Sequence, residues 1–136
     1  MRFKQYFKES QVSYSSVVID DESRAKLLND PQVTGLITPD MEIIAHHMTI
    51  KMGGLSGTPH QERLGKAEQF YATDVGTALE GNVVAVKVSG LSDNKNPHIT
   101  IAINRSSGAK PKDSNLITNW QPLETSILIK GVVLED

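Results

Sequence analysis

Short apolar runs of strand length and strand period recur along the chain, separated by polar breaks. Tyr14 to Ile19 (YSSVVI) is rich in β-forming residues. Asp20-Asp21-Glu22-Ser23 then supplies the acidic and hydroxyl side chains that favour a helix N-terminus and opens the segment RAKLL, so a strand followed by a helix is predicted. Pro31, Gly35 and Pro39 punctuate the next stretch, after which Ile43 to Met52 (IIAHHMTIKM) alternates as a strand and stops at Gly53-Gly54. Lys66 to Ala78 and Asn82 to Ser89 (NVVAVKVS) read as two antiparallel strands joined by a hairpin turn near Glu80-Gly81. Pro97 to Ile103 (PHITIAI) is another alternating strand and Glu124 to Leu134 (ETSILIKGVVL) a closing one, with weaker helical segments at Met1 to Ser10 and Ser114 to Asn119. The fold class this pattern predicts is α+β with a mostly antiparallel sheet.

Composition narrows the picture. The 136 residues suit a single domain spanning 1–136, and a hydrophobic share of 38% against 22% charged marks a globular chain rather than a disordered one. Fourteen basic against sixteen acidic residues give a net charge of −2, without the basic excess usual in proteins that grip long polyanions, so a small nucleotide suits the chain better than long nucleic acid. The absence of cysteine removes disulfides, thiol nucleophiles and Cys-based zinc sites together. MRFKQYFKES lacks the apolar stretch of a signal peptide, and no segment approaches a membrane span, so a cytoplasmic protein is expected.

Candidate chemistry comes from one repeated pattern. His47 to Ile50 (HMTI) and His98 to Ile101 (HITI) match, each within strand-forming residues. Successive side chains on a strand alternate faces, so His47 and Thr49 project from one face and Met48 and Ile50 from the other. The same rule puts His98, Thr100 and Ala102 on a chemical face, with Ile99, Ile101 and Ile103 beneath as core. Four histidines and nine threonines would give roughly 0.3 His-x-Thr matches by chance, so two matches outweigh the bland reading of either alone. Two imidazoles converging on one phosphate divide an in-line displacement, one as general base on the attacking hydroxyl and one as general acid on the leaving oxygen. The threonine hydroxyls would donate to the non-bridging oxygens.

His46 neighbours His47 and should point to the opposite face, so the two should not chelate one ion. His60 has no carboxylate at a metal-ligand spacing, and HExxH and EF-hand patterns are absent. No metal and no cofactor are expected. GGLSGTPH lacks the Gly-Lys-Ser/Thr ending of a nucleoside-triphosphate loop and reads as a connection. Lys51 lies two residues beyond Thr49 on the chemical face, either to meet a phosphate or as an exposed edge lysine. Trp120, the sole tryptophan, is either a base-stacking platform or a buried anchor. Arg105, Lys110 and Lys112 lie in a polar segment that would suit a lid over a nucleotide or form a solvated loop.

The duplicated His-x-Thr-x motif in a small chain resembles the 2H phosphoesterase superfamily. The resemblance covers most of the chain in layout and implies two pseudo-symmetric lobes, each giving one motif strand to a central groove. It also implies 2′,3′-cyclic phosphates, tRNA ends or cyclic nucleotides as substrates. AHHMTI, the YSSV strand and the strand beginning at Glu124 are similar to the phage anti-CBASS nucleases, which destroy cyclic oligonucleotide messengers. The tRNA-ligase-like cyclic phosphodiesterases are the other branch it resembles. The first likeness implies a metal-independent phosphodiesterase hydrolysing 3′–5′ bonds of cyclic di- or trinucleotides, working in the host cytoplasm if phage-encoded. It further implies Tyr14 stacking on a base and Glu124 reading a base edge, where core packing and a solvated strand-end carboxylate are the alternatives. The second likeness implies a 2′,3′-cyclic phosphodiesterase on RNA ends, and a nucleotide-binding sponge without turnover is the reading from another class. His98 follows His47 by only 51 residues, which is short for the superfamily and leaves the lobe boundaries open.

Overall fold

A computed structural model describes residues 14–90, 92 and 94–135; the helix expected at Met1 to Ser10 lies outside them. The alternating runs become strands β1 (Tyr14–Ile19), β2 (Glu42–Ile43), β3 (His47–Met52), β4 (Ala67–Ala78), β5 (Val83–Val88), β6 (His98–Ile103) and β7 (Gln121–Glu135). All pairings are antiparallel, in the order β6, β3, β1, β7, β4, β5. β5 pairs back onto β6, so six strands close into a barrel, with β2 against the C-terminal part of β6 as an extra strand. The β4–β5 connection turns at Leu79, Glu80 and Gly81, all at positive φ (51°, 58° and 87°), at the place expected from the sequence.

Helices are few. α1 (Asp21–Asn29) starts where Asp20 accepts a 2.8 Å hydrogen bond from the Ser23 amide, and α2 (Pro31–Thr34) is capped by Asp30 with Pro31 in its first turn. α1 is fastened to β7 by Ser23, whose buried hydroxyl accepts a 2.8 Å bond from the Lys130 amide. The polar segment after β6 holds two 3-10 turns, Arg105–Ser107 and Pro111–Leu116, the second overlapping the weak helix expected at Ser114 to Asn119.

The main core fills the barrel with Val17, Met48, Ile50, Phe70, Val84, Val86, Ile99, Ile101, Ile129 and their neighbours, and Leu27 and Val33 of the helices pack against it. A second cluster, Ala78, Val83, Ala85, Ile103, Ala109 and Ile117, packs the segment after β6 onto the outer face of β4, β5 and β6. Strict alternation fails on β6. Val84 pairs with Ala102 but Ala85 with Thr100, so Ile101 is an extra residue, a bulge that moves Ala102 into the main core and Ile103 into the outer cluster. The expectation that Ala102 shares the face of His98 and that Ile103 lies beneath it is corrected by this bulge.

β7 crosses close to β1 at Gly131, where a Cβ would stand 2.4 Å from the Val18 carbonyl oxygen. Gly131→Ala therefore forces backbone apart, and a loss of about 1–3 kcal/mol in denaturant unfolding is expected. The Asp20 carboxyl is held below its ordinary value of 3.8, first by the Ser23 backbone amide. A lowered folded-state pKa contributes stability that is complete above that ordinary value and is lost as pH falls through the folded one. Asp20→Ala should lower Tm at pH 7, and thermal melts should show the difference shrinking below about pH 4.

Candidate active site

The site begins with a break in a strand. β2 and β3 run along one side of β6, but Ala45 between them takes φ of 40°, and the pairing loses register there. The Ile44 amide donates to the Ile101 carbonyl (2.7 Å) and the Ala45 amide to that of Thr100 (3.0 Å), and the next pair is Met48 with Ile99. His46 and His47 are therefore two residues without counterparts on β6. On the other side β1 still holds them, with Val18 paired to His47 and the Ile19 amide donating to the His46 carbonyl at 3.0 Å. A bulge of this kind re-aims side chains. His46 does not point away from His47 as alternation predicts: the two rings meet edge-on at 81°, with Nδ1 to Nδ1 3.0 Å apart.

Met48 and Ile99 are buried beneath, and His47 and His98 stand one residue before them on neighbouring antiparallel strands. This sets the two histidines near one another on the outer face of the barrel. His47, Thr49, His98 and Thr100 all line one pocket of about 560 Å³, together with Tyr14 and Lys51. That volume lies in the usual range for small-ligand sites. The Tyr14 ring lies 5.2 Å from that of His47, tilted by 33°.

Two further walls come from the loop before β6, which was not assigned from the sequence, and from the polar segment after β6, which the sequence offered as a lid. The loop before β6 is tied to β3 by Ser92, whose hydroxyl donates to the Thr49 carbonyl (2.8 Å) and reaches the Ile50 carbonyl (3.1 Å). It brings Asn94 to the pocket, where the Asn94 side-chain Nδ2 donates to Asn115 Oδ1 at 3.1 Å. The Pro111–Leu116 turn supplies Pro111, Lys112 and Asn115. Of the cations considered for a lid, Lys112 reaches the pocket lining, whereas Arg105 is engaged by Glu42, whose carboxyl is held below its ordinary value by that guanidinium. The loop chemistry was visible in sequence, but which basic residue turns inward depends on how the turn is seated.

The two motifs differ in detail. The Thr100 hydroxyl is buried between the Pro111 carbonyl (3.2 Å) and the Ser114 hydroxyl (2.8 Å), so its proton is engaged within the protein and its role here is to seat the turn. Thr49 is half-buried and faces the pocket without that restraint. His98 Nδ1 lies 2.9 Å from the Asn96 carbonyl oxygen, which can only accept, so in the neutral imidazole Nδ1 carries the hydrogen and Nε2 the lone pair. Lys87, paired with His98 across β5 and β6, puts a cation on the same outer face, its Nζ 6.0 Å from the centre of the Trp120 ring.

Two residues proposed as ligand contacts are not brought to the pocket. Trp120 packs against the outer cluster, half-buried, with its indole nitrogen enclosed, which is the anchor reading of this residue. Glu124 lies exposed on β7, diametrically across the barrel from β6, and its amide donates to Gln32 Oε1 at 2.7 Å. No carboxylate lines the pocket among the described residues, and no cluster of three His, Asp or Glu side chains among them could hold a metal ion. None of the helices described is long and apolar enough to cross a membrane. Compared with known proteins, the chain matches no family model and no curated sequence.

Thr100→Val should leave the buried Ser114 hydroxyl without its partner and release the Pro111 carbonyl. A destabilisation of about 1–3 kcal/mol is expected in urea unfolding, with faster hydrogen exchange over Lys110 to Leu116. Unchanged exchange there would show that the hydroxyl does not seat the turn.

Proposed function

We propose that the protein is a metal-independent phosphodiesterase that opens 3′–5′ bonds of cyclic di- or trinucleotides. The observation that carries this reading is the meeting of both His-x-Thr motifs in one pocket that also holds Tyr14, Lys51 and Lys112. Two lysines suit the phosphates of such a ring, an aromatic at the rim suits a base, and paired imidazoles suit proton transfer on both sides of one phosphorus. Among the described residues the pocket lining offers imidazoles and lysines rather than carboxylates, which suits proton transfer.

In this reading the ring's own 2′-hydroxyl attacks. Its proton passes to the bare Nε2 of His98, its oxygen forms the new bond to phosphorus, and the bond from phosphorus to the 5′ oxygen breaks. That leaving oxygen keeps the bonding pair and takes a proton from His47. Thr49 and the lysines stabilise charge on the non-bridging oxygens. Water then opens the resulting 2′,3′-cyclic phosphate with the proton movements reversed. In this reading the strands divide into two lobes, β1 to β3 and β4 to β6, each giving one histidine strand to a groove, with β7 joining them. The cytoplasm, that of the host if the chain is phage-encoded, is where such an activity would meet its substrate.

The test is turnover in excess EDTA of 3′,3′-cyclic GMP–AMP and, separately, of an RNA ending in a 2′,3′-cyclic phosphate. Cleavage of the first is expected; cleavage of the second alone would move the assignment to RNA-end repair, and inertness toward both would sink it. His47→Ala and His98→Ala should each lower kcat by about 10²- to 10⁴-fold while ligand binding persists. Binding without turnover by the native protein would instead identify a sponge.

A further inference from the structure

We infer that His46 is a positioning residue for His47, acting through the contact between their two Nδ1 atoms; this rests on the phosphodiesterase reading above. Adjacent residues of a regular strand face opposite ways and cannot make such a contact. Here the chain is arranged to allow it. Ala45 takes a left-handed conformation that a non-glycine residue adopts only at a cost, and the β6 pairing skips both histidines while β1 retains them. The product of this local irregularity is a 3.0 Å approach of two ring nitrogens.

Such an approach holds one proton between two lone-pair positions, because two protonated Nδ1 atoms would repel at that distance and two bare ones would lack a hydrogen. When His47 is the general acid it is an imidazolium with hydrogens on both nitrogens. Its Nδ1–H then donates to the neutral His46 Nδ1, and the hydrogen passed to the leaving oxygen is the one on Nε2. After that proton departs, His47 is the neutral Nδ1–H tautomer and the bond to His46 persists. His46 thus does for His47 what the Asn96 carbonyl does for His98, fixing which nitrogen faces the phosphate. The two partners differ in kind, since a carbonyl can only accept while an imidazole can exchange roles. His46 itself is exposed and does not line the pocket, so it acts on the reaction through His47 alone.

The deciding experiment compares native protein, His46→Ala and His46→Asn on two forms of a 3′,3′-cyclic dinucleotide, one natural and one with sulfur in place of the bridging 5′ oxygen. A thiolate leaves without protonation, so this substrate bypasses the general acid. His46→Ala should slow the natural substrate by about tenfold or more, with kcat rather than KM affected, and should leave the sulfur substrate unchanged. His46→Asn, whose side-chain oxygen also accepts a hydrogen bond, should recover most of the loss. Equal slowing on both substrates, or no slowing on the natural one, would overturn the inference. The ring contact has a readout of its own in ¹⁵N spectra of histidine-labelled protein, where the His47 Nδ1 signal should shift in His46→Ala. A native protein that cleaves neither substrate yet shows this shift would separate failure of the phosphodiesterase reading from failure of the contact, and an unmoved signal would overturn the contact.

Discussion

Everything at the site depends on β3 and β6 lying side by side, with Met48 paired to Ile99 and both side chains buried. Burying these two fixes what must face outward, because the residue before each can only project from the opposite side of the strand. The pairing is narrow, since the chain loses register immediately at Ala45, so its stability comes from the strands beyond. β1 holds the other edge of β3 through five paired positions, and β5 holds the other edge of β6 through five. Closure of the barrel converts a weak local pairing into a fixed spacing between two imidazoles. A flat sheet with the same two strands would have left one of them at an edge, free to twist away.

The outline of the fold was legible because period-two alternation with β-branched residues is a strong signal, and the turn at Leu79–Gly81 sits between two such runs. The grouping of His47 with Thr49 and of His98 with Thr100 followed from the same rule. The rule failed where the backbone adds residues. Ala45 carries no sequence mark of a left-handed conformation, and the extra Ile101 on β6 is indistinguishable from its neighbours in an apolar run. Closure was not legible either, because which strand pairs with which is decided by shape and not by the composition of any one strand. Trp120 and Glu124 were misplaced for that reason, and Asn94 and Asn115 went unnoticed, since their relevance depends on a loop and a turn meeting above β3 and β6.

Two motifs with the same letters have acquired different surroundings. One histidine is set against a backbone carbonyl and the other against a second histidine. One threonine is drawn into the protein to seat a turn, while the other opens to the pocket. Equivalence of sequence in the two motifs therefore does not carry equivalence of surroundings. The proposed in-line reaction would use this inequality, because the two sides of the phosphorus require opposite proton transfers.

The length of β7 carries a consequence for how the pocket comes into being. This strand lines up with β4 over one stretch and with β1 over another, so that Ser15 is matched with Glu135 and Ala67 with Val132. The β4–β5 hairpin closes from contacts near in sequence, but β1 finds its second neighbour only across almost the entire described chain. Such high contact order slows folding, because the entropy of closing a long loop is lost before the pairing rewards it. Until that last alignment, β3 has no braced neighbour on its β1 side, and the two imidazoles have no fixed separation. Convergence of the two histidines is thus completed in the same event as the barrel.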